Sequence, residues 1–181
     1  MIKLQTPITE ENITSLRSGD IVSISGIIYT GRDAAHKKLV DLLDGEKELP
    51  FDLEKAIIYY TGPAPKSPGR IIGSCGPTSS YRMDAYSTPL MKQGLRLMIG
   101  KGPRSEEHIK DLKLYKGVYL QAVGGTAALI SETVKKMDLV AFPELGAEAI
   151  YRLEVKNFIA TVTYDSLGND LLKEAINKYK R

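Results

Sequence analysis

The hydrophobic and polar positions of this chain follow a repeated order: a short apolar run, a loop that contains glycine, and a segment with helical spacing. The run from Asp20 to Thr30 is rich in β-branched residues and ends at Gly31, and RDAAHKKLVDLL then has apolar residues at helical intervals. The same order recurs after AIIYYT, RIIGS, LRLMI and VYLQAV. Strands that alternate with helices predict an α/β domain with a largely parallel sheet.

The predicted helices after the first one follow the later apolar runs. Ser105 is a suitable N-cap for one of them, because Glu106 and Glu107 stand in its first turn. The predicted segments are MDAYSTPLMKQG, SEEHIKDLKLY, GGTAALISETVKKM and the basic-ended NDLLKEAINKYK. They complete the α part of the predicted α/β domain.

The pattern changes in the last third of the chain. Leu139 to Phe142 (LVAF) predicts a short strand, and RLEVKNFIATVTYDS predicts a longer one with near alternation from Phe158 to Tyr164. Alternating strands are typical of antiparallel sheets with one exposed face. This strand and the run from Asp20 to Thr30 are therefore candidates for an antiparallel second layer.

Length and composition predict a single domain over residues 1–181. No linker, repeat or low-complexity tract divides the 181 residues, and this length is ordinary for one domain. The net charge of +3 comes from mixed acids and bases, without the basic stripe of a nucleic-acid-binding protein. The N-terminus lacks a signal-peptide core, and no apolar run is long enough for a membrane helix. We expect a soluble cytoplasmic protein with neither nucleic acid nor membrane as a partner.

The cysteine count limits the possible metal chemistry. Cys75 is the only cysteine, and a single thiol with two scattered histidines is not a metal-ligand set. It also cannot form an internal disulfide. We therefore expect no metal site within this chain, and Cys75 is predicted to be a small buried side chain.

Four glycine loops stand where an α/β sheet binds ligands, between the end of a strand and the start of a helix. They are TGRDAAH, CGPTSSYRMD, IGKGPRS and VGGTAAL. Three carry a cation at or near the glycine, namely Arg32, Arg82 and Lys101. Guanidinium groups match the oxygens of carboxylates and phosphates. If the three cations converge, their ligand is a small dianion or polyanion.

Each loop also has an ordinary structural explanation. Glycines dominate turns for steric reasons, single arginines are mostly surface residues, and Ser79 and Ser80 suit helix caps. His36, four residues after Arg32, is a surface or packed residue as readily as a functional one. The chain has no P-loop, GxGxxG, HExxH, GxSxG or CxxC motif. The residues alone therefore indicate an α/β domain with an anion-binding face, catalytic or not.

The order and intervals of TGRDAAH, GPTSSYRMD, IGKG and VGGTAAL resemble the β-type subunit, or C-terminal domain, of class I fumarate hydratases. That iron–sulfur-dependent family of hydro-lyases includes the tartrate dehydratases. The resemblance runs from about Gly19 through PELGAEAI to DSLGNDL. GRDAAH and GPT-S-x-R-M-D are its specific parts. One departure is Ser79, where the family commonly has threonine; Thr78 and Arg82 are retained.

The resemblance implies a fold, an activity and a partner. The fold is a three-layer β/β/α "swivelling" domain, in which a mainly parallel central sheet lies between an antiparallel layer and helices. The activity is the reversible hydration of fumarate to (S)-malate at a [4Fe–4S] cluster. The cysteine ligands of that cluster belong to a partner α subunit, so this chain holds none and is active only with that subunit, as part of a heterotetramer.

The resemblance also implies roles for individual residues. Arg32, Arg82 and Lys101 bind the substrate carboxylates, and Thr78 is the base that takes a proton from carbon. A threonine hydroxyl is a poor base at neutral pH, so this role needs Arg82, one helical turn on, to stabilise the alkoxide. An L-tartrate dehydratase β subunit, a non-catalytic anion-binding module and a regulatory subunit remain the alternatives.

Overall fold

The computed structural model of the chain describes residues 1–180, which form a seven-stranded sheet and six α-helices. The strands are β1 (Ile2–Gln5), β2 (Ile21–Thr30), β3 (Ile57–Tyr59), β4 (Leu97–Gly100), β5 (Val118–Gln121), β6 (Val134–Ala141) and β7 (Ile150–Tyr164). The helices are α1 (Glu10–Ser15), α2 (Asp33–Asp44), α3 (Asp84–Lys92), α4 (Glu106–Leu114), α5 (Ala127–Thr133) and α6 (Leu171–Tyr179). Within residues 1–180, every helix is too short or too polar to cross a lipid bilayer.

The sheet confirms the predicted mixed α/β class. Its strand order is β1-β2-β3-β4-β5-β7-β6, and the neighbours from β1 to β5 are all parallel. β7 is antiparallel to β5, to β6 and also to β2. Because β2 pairs with β7 as well as with β3, the pairings close β2, β3, β4, β5 and β7 into a ring. The run from Asp20 to Thr30 thus takes part in both parallel and antiparallel pairing.

Two apolar cores lie on the two faces of the parallel strands. Ile57 and Tyr59 of β3 join one core, which contains residues of every strand in the ring, whereas Ile58 and the following Tyr60 join the other. The second core includes Leu39 of α2 and Leu90 of α3, so it lies between the strands and the helices. Strands that are buried on both faces read as continuous apolar runs, which is why AIIYYT and LRLMI were recognisable.

Two sequence predictions were wrong in their secondary structure. RIIGS (70–74) is not a strand: it belongs to a long irregular segment after β3. The Tyr59 hydroxyl donates to Cys75 O at 2.6 Å, and Thr61 Oγ1 donates to Gly76 O at 2.7 Å, so side chains satisfy its backbone. The helix predicted over GGTAALISETVKKM ends at Thr133, because Val134 begins β6 and pairs with Val155 of β7.

Candidate active site

The chain past the ends of β3 and β4 brings two predicted site residues side by side. Thr78 donates its backbone N–H to Tyr60 O at 2.8 Å, which seats it beyond the end of β3. Ser79 forms an isolated parallel bridge with Lys101, the first residue after β4. Thr78 and Lys101 therefore lie at one edge of the sheet, at the carboxyl ends of parallel strands, where α/β proteins bind ligands.

Arg82 is in direct contact with Thr78. A 3-10 helix over Ser80–Met83 leads into α3 and turns Arg82 back, so that its Nη2 donates to Thr78 Oγ1 at 2.6 Å. Arg82 is exposed and forms no salt bridge with a carboxylate of residues 1–180. Its other N–H groups are free to bind an anion in front of the threonine hydroxyl.

Arg32 follows β2 on the same edge of the sheet, but its guanidinium group is already close to two carboxylates of this chain. It is the N-cap residue of α2, its Nη2 lies 3.1 Å from Glu148 Oε1, and its Nε lies 3.6 Å from Asp33 Oδ1. Its side chain crosses Gly62, where an added Cβ would lie 3.1 Å from Arg32 Cδ. Within residues 1–180, Arg32 makes no ion pair or hydrogen bond with the other predicted site residues.

The glycine loop after β5 lies beside Lys101. A Cβ added at Gly124 would be 4.0 Å from Lys101 Cδ, and Gly125 has a φ of +83°, in the region that favours glycine. Both glycines are exposed. The backbone of this loop is therefore open to a ligand held by Lys101.

The buried side chain of His36 contacts the backbone of Arg32. It is fully buried, packs edge-on against the Tyr60 ring with 5.1 Å between centroids, and its Nδ1 lies 2.8 Å from Arg32 O. Because a carbonyl oxygen only accepts, Nδ1 carries the proton. Burial lowers the pKa of His36 to about 4, against the opposing effect of the bond to Arg32 O. His36 is thus a neutral packed residue that holds the loop.

The described residues do not fit an iron–sulfur cluster. Cys75 is buried, and burial raises the pKa of its thiol to about 12, which opposes the thiolate form that binds metals. Within residues 1–180, no three His, Cys, Asp or Glu side chains are grouped so that they could hold a metal ion.

Sequence reasoning missed a buried polar network behind the site. Ser79 and Ser80 were expected to cap a helix, but neither side chain makes a capping bond. Ser80 is instead fully buried and bonded to Lys101 and Tyr119. Arg104, also buried, pairs with Asp84 at the start of α3. Ser80, Asp84 and Arg104 all belong to the loops singled out above, but their burial was not visible in the pattern.

A family model described as the fumarase C-terminus matches residues 1–175. The chain is 42% identical over 159 residues to a class I anaerobic fumarate hydratase of Escherichia coli, covering 87% of this chain and 29% of that protein. It is 37% identical over 177 residues to a class I aerobic fumarate hydratase of Salmonella typhimurium, covering 96% and 30%. The chain thus spans about a third of the length of the fumarate hydratases that it matches.

A different kind of relative has nearly the length of this chain. A Methanocaldococcus jannaschii protein, provisionally named L(+)-tartrate dehydratase subunit beta, is 41% identical over 177 residues. The match covers 94% of this chain and 90% of that protein.

Proposed function

This chain belongs to the fumarase C-terminus family, and we propose from that premise that it is the β-type part of an iron–sulfur-dependent hydro-lyase. The reaction is the reversible hydration of fumarate to (S)-malate. The 181 residues act as a single domain, which supplies the cations for the dicarboxylate and the catalytic base. Its closed ring of strands and two cores support assignment to the swivelling β/β/α type.

The observation that carries the proposal is the 2.6 Å hydrogen bond from Arg82 Nη2 to Thr78 Oγ1. A hydroxyl that accepts a bond from a guanidinium is stabilised when its oxygen carries negative charge. In the direction of dehydration, Thr78 Oγ1 acts as the alkoxide that Arg82 stabilises: it takes the proton from the carbon next to a substrate carboxylate and becomes the neutral hydroxyl. That proton is weakly acidic, so its removal depends on cations that stabilise the charge developing on the carboxylate.

Lys101 and Arg82 supply that positive charge, and Arg32 serves the second carboxylate. Lys101 and Arg82 both flank Thr78, Lys101 through the bridge with Ser79 and Arg82 through the side-chain bond. Arg32 lies farther along the same edge and pairs with Glu148. A dicarboxylate replaces Glu148 when it binds.

The [4Fe–4S] cluster and the remaining half of the site are assigned to a partner α subunit, in a heterotetramer. The relative named as a β subunit supports a separate partner chain, whereas the longer fumarate hydratases combine a matching region with other sequence in one protein. The same β-subunit relative favours L-tartrate as the alternative substrate, since tartrate also carries two carboxylates for these cations.

Substitution of the proposed base tests the assignment. In the complex with a cluster-bearing partner, prepared without oxygen, Thr78→Ala is expected to abolish the loss of fumarate absorbance, because no other group takes the proton. Affinity for a non-reacting dicarboxylate such as succinate is expected to stay within about threefold, since Arg82 and Lys101 remain. Thr14→Ala, which removes a half-buried hydroxyl on α1, is the control and should keep wild-type activity.

Two results would contradict the proposal. A Thr78→Ala complex with wild-type kcat would show that Thr78 is not the base. A wild-type complex with an intact cluster that binds succinate but converts neither fumarate nor L-tartrate would favour the non-catalytic anion-binding module.

A further inference from the structure

Ser80 stands between Thr78 and Arg82 in the chain, yet its side chain points away from the ligand edge. It is fully buried, and its Oγ accepts a hydrogen bond from Lys101 N at 3.0 Å and another from the Tyr119 hydroxyl at 2.9 Å. The same Oγ donates a longer bond, of 3.3 Å, to Thr78 O. Its backbone N–H donates to Lys101 O at 3.1 Å. Ser80 therefore bonds both backbone polar groups of Lys101.

The strand next to this contact leaves room for the hydroxyl. A Cβ at Gly100 would overlap Ser80 Oγ and come within 2.9 Å of Tyr60 Cδ2. Glycine at position 100 is thus required by the close approach of Ser80, since an added Cβ essentially never lies that near another heavy atom. The last residue of β4 and the buried hydroxyl fit each other.

A second contact fixes the far end of the same loop. The Arg104 guanidinium has no exposed side-chain surface and lies over the Tyr119 ring, 4.9 Å from its centroid, where its Nε donates to Asp84. Ser105 N donates to the other oxygen of Asp84 at 2.8 Å. The loop from Lys101 to Ser105 is thus held at both ends, by Ser80 at Lys101 and by Asp84 at Arg104 and Ser105.

We propose that Ser80 is a positioning residue for catalysis: its buried hydroxyl holds the Lys101 backbone so that the ammonium group meets the substrate carboxylate in front of Thr78. Ser80 touches no substrate itself and acts through Lys101. This role rests on the proposed function, because it requires Lys101 to bind a substrate carboxylate. The neighbouring Ser79 makes no side-chain hydrogen bond of this kind.

The test is a double-mutant cycle in the complex with the cluster-bearing partner. Ser80→Ala is expected to lower kcat/KM on the order of 10- to 100-fold, mainly through KM, because a small displacement of a binding group is costly. In a Lys101→Ala background, the same substitution should lower kcat/KM less than about threefold, because there is no ammonium left to position and only the long bond to Thr78 O is lost. Ser80→Cys, which keeps a weak acceptor, should recover part of the loss.

Tyr119→Phe is the matched control. It removes the bond that Ser80 Oγ accepts from the Tyr119 hydroxyl, together with the longer 3.3 Å bond from that hydroxyl to Gly102 O, and leaves the bond from Lys101 N intact. Its midpoint of thermal unfolding should fall about as far as that of Ser80→Ala, while kcat/KM stays within about threefold of the wild type. This comparison separates an effect of lower stability from an effect of a displaced Lys101 ammonium group.

The outcomes separate the two claims. If the wild-type complex converts its substrate and Ser80→Ala lowers kcat/KM by the same factor with and without Lys101, the positioning role is overturned and the proposed function stands. The positioning role is also overturned, and the proposed function stands, if kcat/KM of Ser80→Ala is no lower than that of Tyr119→Phe. If the wild-type complex converts neither fumarate nor L-tartrate, the proposed function falls, and the role of Ser80 falls with it.

Discussion

The two arginine loops, TGRDAAH and GPTSSYRMD, look alike in sequence and differ in what their arginines hold. Arg32 is 26% exposed in its side chain and lies 3.1 Å from Glu148, so its charge is already paired. Arg82 is exposed, donates to the Thr78 hydroxyl, and makes no salt bridge within residues 1–180. One cation is occupied by a carboxylate of the protein, and the other faces outward beside a hydroxyl.

This difference should make the net binding energy of a carboxylate larger at Arg82 than at Arg32. On the proposed function, a dicarboxylate would gain a charge-assisted contact at Arg82 without breaking an ion pair. At Arg32 it would replace Glu148, so most of the new contact would be offset by the one that is lost. A cation in a glycine loop is therefore available to a ligand only to the extent that its protein partners leave it free.

The largest expected effect is that of removing the free arginine. Arg82→Ala should lower kcat/KM on the order of 1,000-fold, because it removes both a carboxylate contact and the bond to Thr78, each worth about 2 kcal/mol. Arg32→Ala should lower it only about 10-fold, since its contact is made by exchange. Steady-state kinetics of both complexes, with fumarate and with L-tartrate, give the two values.

Equal losses in the two variants would break the comparison. They would mean that Glu148 leaves Arg32 at no cost when substrate binds, so that the occupied and the free arginine are equivalent in the complex.

A smaller effect should follow from removing the competing carboxylate. Glu148→Gln leaves Arg32 without its anionic partner, so the Kd for succinate is expected to fall about 3- to 10-fold, in keeping with the modest energy of a partly exposed ion pair. Isothermal titration of the full complex measures it. Glu144→Gln is the control, since Glu144 lies in the same 3-10 helix but pairs with Lys38 at 2.7 Å.

A weaker affinity in Glu148→Gln would reverse the interpretation. Glu148 would then orient Arg32 toward the substrate rather than compete with it, and the control variant would show whether the effect is specific to that carboxylate.

The parts predicted best from sequence are those with a local cause. The parallel strands were recognisable because apolar side chains cover both faces, and α4 because Ser105 caps it and bonds His108 N at 3.1 Å. RIIGS (70–74) failed because an apolar run also suits a segment whose backbone is held by distant side chains such as Tyr59. Residues 134–137 were assigned to a helix, although pairing with β7 makes them a strand.

The site was predictable as a set of loops and not as a set of contacts. Arg32 and Lys101 closely follow β2 and β4, whereas Arg82 comes after the long irregular segment beyond β3 and reaches Thr78 through its side chain. Nothing local distinguishes the arginine that pairs with Glu148, because that partner lies more than a hundred residues away in the chain. The inward turn of Ser80 likewise depends on Tyr119 and Gly100, which come from two other strands.

The two arginine loops also pack against different buried residues. This difference gives the smallest expected effect, a change in how stability depends on pH. Ser80, beneath the Arg82 loop, does not titrate, whereas His36, beneath the Arg32 loop, is fully buried. Burial, followed by the charge of Arg104, lowers its pKa to about 4, against the raising effects of Arg32 O and Asp33. His36 should therefore couple the support of the Arg32 loop to pH, separately from His108, which contacts Arg104 on the other side of the site.

The sign of this coupling follows from the two states of His36. The ordinary pKa of a histidine is about 6.5. Above that pH, the imidazole is neutral in both the folded and the unfolded chain, so burying His36 costs no stability through its proton. As the pH falls from there toward about 4, the unfolded state takes up a proton that the folded state excludes, so stability is lost. From pH 8 to pH 5, the wild type should lose about 2 kcal/mol more of its free energy of unfolding than His36→Asn, whose amide can still donate to Arg32 O. Denaturant unfolding at the two pH values measures the difference, with His108 present in both proteins. Equal losses would mean that His36 takes up its proton in the folded state as readily as in the unfolded state, which would contradict the predicted coupling.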